Sequence, residues 1–213
     1  VFANGAGLEE FLDKLLANAG EGTPVVSVSD GIELRDLSAD HLAQGGEHAD
    51  AQNGKDPHTW TSPANALIFV DNILHALQTL DPAHAQDYAA NAQAYRRELE
   101  QMDRWIAAQV ATIPVEQRLL VTDHLVLGYY ADRYGFKQVG ALVEAFSSGA
   151  SPSAKELAAL EDTIRSLGVK AVFVGASANP ALAERVAADT GVKLATLYTG
   201  SLGPAGSGAD TYL

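Results

Sequence analysis

Two histidines stand where this chain can hold an imidazole rigidly. His58 lies in Asp56-Pro57-His58-Thr59-Trp60. Proline fixes its own φ and biases the residue before it toward extended backbone, so His58 sits on a preset turn just ahead of a helix pattern. A metal site rewards that rigidity, because ordering a mobile ligand subtracts from binding. Trp60 can pack beneath the turn. The competing reading is a histidine that merely caps or packs at a helix entry. His124 lies in Thr122-Asp123-His124-Leu125, where a strand pattern ends and a helix pattern begins. In open parallel α/β sheets, ligands sit beyond the carboxyl ends of the strands. An ordinary polar helix-start residue is the alternative there. Asp210, in Gly206-Ser207-Gly208-Ala209-Asp210-Thr211-Tyr212, could bring a carboxylate into such a crevice, or could be a plain turn residue. His75 and His84 fall in or beside helix patterns, and His41 and His48 in a polar stretch. Packed or solvated roles are the default for all four.

Composition narrows the chemistry. With 14 Lys and Arg against 27 Asp and Glu, the formal net charge is −13. An acidic surface repels phosphate backbones, which disfavours nucleic acid as a partner. Cysteine is absent, so disulfide scaffolds, thiol catalysis and Cys-based zinc sites are excluded. A transition metal would have to be held by His, Asp or Glu. No apolar run is long enough to span a bilayer. No basic start leads into an apolar stretch, so no signal peptide is read in the sequence. Val1 to Gly5 reads as the end of a strand running into a turn.

The elements that must position these residues alternate between short apolar runs and helical patterns, the mark of an α/β fold. GLEEFLDKLLAN from Gly7 to Asn18 puts Leu8, Phe11, Leu12, Leu15 and Leu16 on one helical face. Thr23–Val28 reads as a strand. Residues 38–57 are polar and Gly-rich with no apolar period, which reads as a mobile surface loop. Ser62-Pro63 is an N-cap and helix-starting pair for a helix running to Leu80. After Asp81-Pro82, apolar residues from Tyr88 to Val110 recur at steps of four and three, predicting one long helix that ends before Pro114. At about 1.5 Å per residue it would span about 40 Å, long enough to join two lobes. Strands are predicted at Arg118–Thr122, Lys137–Leu142, Lys170–Val174 and Val192–Leu197. Helices are predicted at Leu125–Tyr134, Ser153–Leu167 with a Ser153/Glu156 capping box, and Pro180–Thr190.

DPHTW before a helix, TDHLVLGYYADRYGF after a strand and the late GADTYL resemble the cluster A-I metal-binding solute-binding proteins, the zinc and manganese receptors of ABC importers. NGAGLEEF, SPSAKELAALEDTIRSLGVKAVFV and NPALAERVAADTGVKL fit the same family, as does the separation of 66 residues between positions 58 and 124. The resemblance covers essentially the whole chain. It implies two α/β lobes, each a mostly parallel sheet flanked by helices, joined by one long rigid helix. The expected boundaries are 1–80, 81–113 and 114–213. It implies metal between the lobes, with His58, His124 and Asp210 as ligands. A further histidine is expected upstream of Val1, and a final helix beyond Leu213. Family members commonly end the Lys170–Val174 strand with Glu, where this chain has Gly175.

Imidazole suits zinc, whereas manganese prefers oxygen donors. Manganese receptors of the family typically carry Glu at the position of His124, so Zn2+ is the expected cargo. Three nitrogens and one carboxylate, tetrahedral at about 2.0–2.2 Å, would close the site and suit capture rather than catalysis. Imidazole binds metal only when neutral, so affinity should fall below about pH 6.5. The expected setting is a periplasmic monomer facing an ABC importer permease, with the 38–57 loop as a possible contact for a periplasmic zinc chaperone. A zinc-dependent hydrolase is the competing class, since an open ligand position would generate hydroxide; no HExxH accompanies it. A manganese receptor or adhesin of the same fold is the other alternative.

Overall fold

A computed structural model describes residues 1–9, 23–37, 54–143 and 152–213. Of the predicted helix Gly7–Asn18 only residues 7–9 are described, as a turn; its remainder and the histidine-bearing part of the 38–57 loop, with His41 and His48, lie outside the described residues. The elements that are described follow the expected α/β order. Strands β1 (Phe2–Ala3) and β2 (Val26–Ser27) pair in parallel. Helix α1 (Pro63–Leu80) takes Ser62 as N-cap and Pro63 as its first residue, although the Ser62 hydroxyl makes no capping hydrogen bond. Proline fits there because its missing N–H would have no helical partner. Asp81 ends α1, and a short 3₁₀ turn at Pro82–His84 restarts the chain into α2 (Ala85–Ala111). This is the long helix expected from the apolar period.

The second half builds one parallel sheet. Its strands are β3 (Leu119–Thr122), β4 (Lys137–Ala141), β5 (Ala171–Gly175) and β6 (Lys193–Leu197), in the spatial order β4-β3-β5-β6. Parallel neighbours need crossover helices. Those here are α3 (Gly128–Tyr134), α4 (Ala154–Leu167) and α5 (Ala181–Thr190). The capping box at Ser153 forms as the sequence indicates. Helix α3 starts later than the predicted Leu125. Residues 123–127 are instead spent on a turn in which the Thr122 hydroxyl and the Val126 N–H both donate to the His124 carbonyl. The Gln138 side chain accepts the Leu127 N–H at 3.1 Å. The core joins Val121, Val139, Val172 and Val174 of the sheet to Leu157, Leu160 and Ile164 of α4 and Ala183 and Val186 of α5.

Long helix α2 is pinned at two places. Arg96 pairs with Asp71 of α1. Asp103 meets Arg133 and accepts from the Tyr134 hydroxyl at 2.6 Å, both at the end of α3. Leu99 between them is fully buried. Leu99→Ala should destabilise the protein by about 2–5 kcal/mol, read from urea denaturation midpoints. The Arg133 guanidinium holds the Asp103 carboxyl below its usual range, against the opposing effect of burial. A depressed carboxyl stabilises the fold above its unfolded pKa, and that contribution is lost as pH falls through the folded value. The destabilisation caused by Arg133→Gln should therefore be fully present at neutral pH and shrink below about pH 4. Thermal melts across that range would read it; a penalty constant down to strong acid would disprove the coupling.

Candidate metal centre

The Asp56–Trp60 turn is fixed by the ends of the small parallel pair. Asn4, just past β1, donates to the Pro57 carbonyl at 3.0 Å. Ser29, just past β2, shares a hydrogen bond of 2.8 Å with the Thr59 hydroxyl, which also donates to Asn4 Oδ1. Asn65 of α1 donates to the Thr59 carbonyl at 2.9 Å. Little freedom remains for His58, which is only 1% exposed.

Beneath it lies Asp56, with no exposed surface at all. Its Oδ1 stands 2.7 Å from His58 Nδ1 and accepts the His58 backbone N–H at 2.9 Å. Its Oδ2 accepts from Arg35 Nη1 at 3.2 Å. A carboxylate against one ring nitrogen fixes the tautomer and leaves the ring lone pair on Nε2. The Tyr129 hydroxyl of α3 donates to the Asp56 carbonyl at 2.7 Å. Burial pushes that phenol up to about 12, so it remains a neutral donor.

His124 arrives from the other side. It follows the carboxyl end of β3, and its ring centroid lies 5.2 Å from that of His58. Its side chain is about a quarter exposed, and Nδ1 stands 3.4 Å from Asp123 Oδ1. Burial works against ionisation of Asp123, but His124 and the backbone N–H groups of Gly175 and His124 outweigh it and hold that carboxyl below its usual range. Gly175 leaves the room: a Cβ there would sit 3.1 Å from both Asp123 Oδ2 and Thr199 Oγ1.

Asp210 stands apart from the pair. It is exposed, and its Oδ2 accepts the Gly206 N–H at 2.8 Å, closing its own turn. That bond leads the influences holding its carboxyl below the usual range. Among the described residues, no cluster of three or more His, Asp or Glu side chains gathers into a metal cage. The segment that carries Asp210 is nonetheless tied to the site. The Tyr212 hydroxyl donates to the Trp60 carbonyl at 2.6 Å, and Trp60 Nε1 donates to the Thr199 carbonyl at 2.7 Å. The Trp60 indole packs edge-on to His58, with centroids 5.3 Å apart. The other described histidines, His75 and His84, are exposed on or beside the helices, and His84 pairs with Asp81.

In the sequence Asp56 reads only as backbone before a proline, and Arg35, Tyr129 and Tyr212 do not stand out as site residues. A carboxylate two residues before a buried histidine is a signal that could have marked Asp56. Arg35 and Tyr212 carry no such signal: Arg35 meets Asp56 and Asp132 at 21 and 97 residues' remove, and Tyr212 meets Trp60 at 152.

Two imidazoles, one braced by a buried carboxylate, thus meet beyond the carboxyl ends of parallel strands in an α/β protein. All of residues 1–213 match the family described as ZnuA, zinc-uptake complex component A periplasmic, and the chain belongs to that family. It is 34% identical over 213 residues to the manganese-binding lipoprotein MntA of Halalkalibacterium halodurans, covering all of this chain and 66% of that protein. It is 36% identical over 159 residues to the iron-binding protein YfeA of Yersinia pestis, covering 74% of this chain and 50% of that one. A Mn-bound S38A mutant of the periplasmic metal binding protein from candidatus Liberibacter asiaticus superposes with a TM-score of 0.82 at 29% identity, covering 99% of this chain and 74% of that one. The chain therefore spans from half to about two thirds of the length of these curated relatives.

Proposed function

We propose that this chain carries the metal-capturing part of an extracytoplasmic receptor that binds Zn2+ and delivers it to the permease of an ABC importer. The observation that carries the reading is the meeting of His58 and His124, with ring centroids 5.2 Å apart and His58 Nδ1 held by the buried Asp56. Braced imidazoles at a strand end suit a borderline-soft cation. Family membership and relatives named for manganese and iron binding support a divalent metal as the cargo. No helix among the described residues is long and apolar enough to cross a membrane, in keeping with a receptor body outside the bilayer.

Two parts of the reading go further. Residues 1–80 and 114–213 act as lobes joined by the helix within 81–113, with metal between them. Asp210 supplies a carboxylate ligand once the 206–210 turn opens. The Tyr212–Trp60 bond ties the segment just past that turn to the Asp56–Trp60 turn and supports this role. Asp210→Asn should weaken zinc binding while leaving the thermal midpoint nearly unchanged, because the side chain is exposed. Unaltered affinity would remove Asp210 from the ligand set.

Manganese is the competing cargo, favoured by the name of the lipoprotein relative. Calorimetric titration of the protein with Zn2+ and Mn2+, alongside His58→Ala, decides between them. Tighter binding of zinc, lost in the variant, is the expected result. Tighter binding of manganese would overturn the zinc assignment, and uptake of neither metal would overturn the receptor reading.

A further inference from the structure

Arg35 follows β2, and its side chain lies between the two segments that carry the imidazoles. Nη1 donates to Asp56 Oδ2 at 3.2 Å, while the opposite oxygen of Asp56 braces His58. Nε and Nη2 donate to Asp132 of α3 at 2.5 and 3.3 Å. Helix α3 begins shortly after His124. The Arg35 backbone N–H donates to the Tyr129 hydroxyl at 3.2 Å, and that hydroxyl donates in turn to the Asp56 carbonyl. The guanidinium also lies 5.8 Å from the centroid of the Tyr129 ring.

Gly128, at the start of α3, is shaped to this arrangement. A Cβ there would fall 1.7 Å from Arg35 Nη1 and 2.6 Å from Asp56 Oδ2. No side chain fits without displacing the guanidinium from Asp56. The planar fork of arginine can serve two carboxylates at once, which the point charge of lysine cannot do in the same geometry. At 10% exposure the Arg35 side chain is little screened by solvent.

We propose that Arg35 is a positioning residue for metal capture: it clasps α3 to the Asp56 turn and so holds His58 and His124 at metal-binding separation before the metal arrives. The inference rests on the metal reading above, and deepens it by making the histidine pair preorganised rather than assembled by the ligand. Preorganisation raises affinity because less ordering remains to be done on binding.

The test measures zinc Kd by competition calorimetry, and the ring ¹⁵N shifts of His58 and His124 in metal-free protein. Arg35→Gln and Gly128→Ala should each weaken zinc binding about 10- to 100-fold, the range for partners that orient a ligand. Arg35→Lys should recover little of that loss. Asp132 is 63% exposed, so its ion pair should add little to stability. Asp132→Asn should therefore leave the thermal midpoint close to wild type while shifting the ring nitrogens of both histidines. It should also weaken zinc binding, and add nothing in an Arg35→Gln background. Zinc Kd unchanged in Arg35→Gln, or additive effects of the two substitutions, would overturn the clasp. If Arg35→Gln does not fold, Asp132→Asn and Gly128→Ala carry the test by the same readouts. If the wild type takes up neither zinc nor manganese, the metal reading fails. The ring shifts still decide the clasp: movement of both histidines in Asp132→Asn upholds it, and static shifts overturn it.

Discussion

Replacing either His58 or His124 with alanine should weaken zinc binding by more than about 100-fold, which is about 2.8 kcal/mol at 1.4 kcal/mol per tenfold change. The bound rests on a comparison of roles. Partners that only orient a ligand are worth about 10- to 100-fold, and a group that donates its lone pair to the metal should exceed them. The two substitutions should differ in their side effects. His58 is buried against Asp56 and Trp60, so its removal opens a cavity and leaves a buried carboxylate short of one partner. His124 is about a quarter exposed, and its removal should cost much less fold stability. Titration calorimetry combined with thermal melts separates the two effects. Metal affinity retained in either variant would remove that residue from the site.

Asp56→Ala is expected to damage both stability and binding. The carboxylate is wholly buried and joined to Arg35, to His58 Nδ1 and to the His58 backbone. Removing one partner of a buried ion pair costs about 3–5 kcal/mol where the other is left alone; Arg35 keeps Asp132, so the loss should lie toward the lower end of that range. Urea denaturation should show a loss of that size. Zinc affinity of the folded fraction should fall about 10- to 100-fold, because His58 loses the group that sets its tautomer. Asp56→Asn keeps the shape and an acceptor for the His58 N–H, so its stability penalty should be smaller while the loss of affinity persists. A stability change below about 1 kcal/mol in Asp56→Ala would mean that water accepts from the His58 donors and that Asp132 alone suffices for Arg35.

The helices and the larger sheet were legible because their signals are local. The apolar period from Tyr88 to Val110, closed by Pro114, corresponds to helix Ala85–Ala111. The Ser153/Glu156 spacing marks a capping box that forms. Apolar runs such as KAVFV correspond to buried parallel strands. Boundaries were less legible where a tertiary contact competes with propensity. Residues 125–127 could continue a helix, but the Thr122 hydroxyl and the Gln138 side chain hold them in a turn. The predicted strand Thr23–Val28 contracts to Val26–Ser27, since only that length finds a partner in β1.

The site divides along the same line. The sequence by itself determined which residue types were available: no thiols, a histidine on a proline-fixed turn, a second histidine at a strand end, and a late Asp in a glycine-rich segment. Only the tertiary structure decided that the first two meet, that Asp56 stands beneath His58 as its brace, and that Asp210 turns to Gly206. It also decided that Arg35 reaches Asp56 and Asp132 through the gap that Gly128 leaves open. The physical reason is range. Turn geometry, capping and apolar period act over a few residues and leave a mark in the chain. A guanidinium shared between carboxylates at positions 56 and 132 leaves none, because nothing in the spacing of those residues requires them to meet until the sheet and helices have packed.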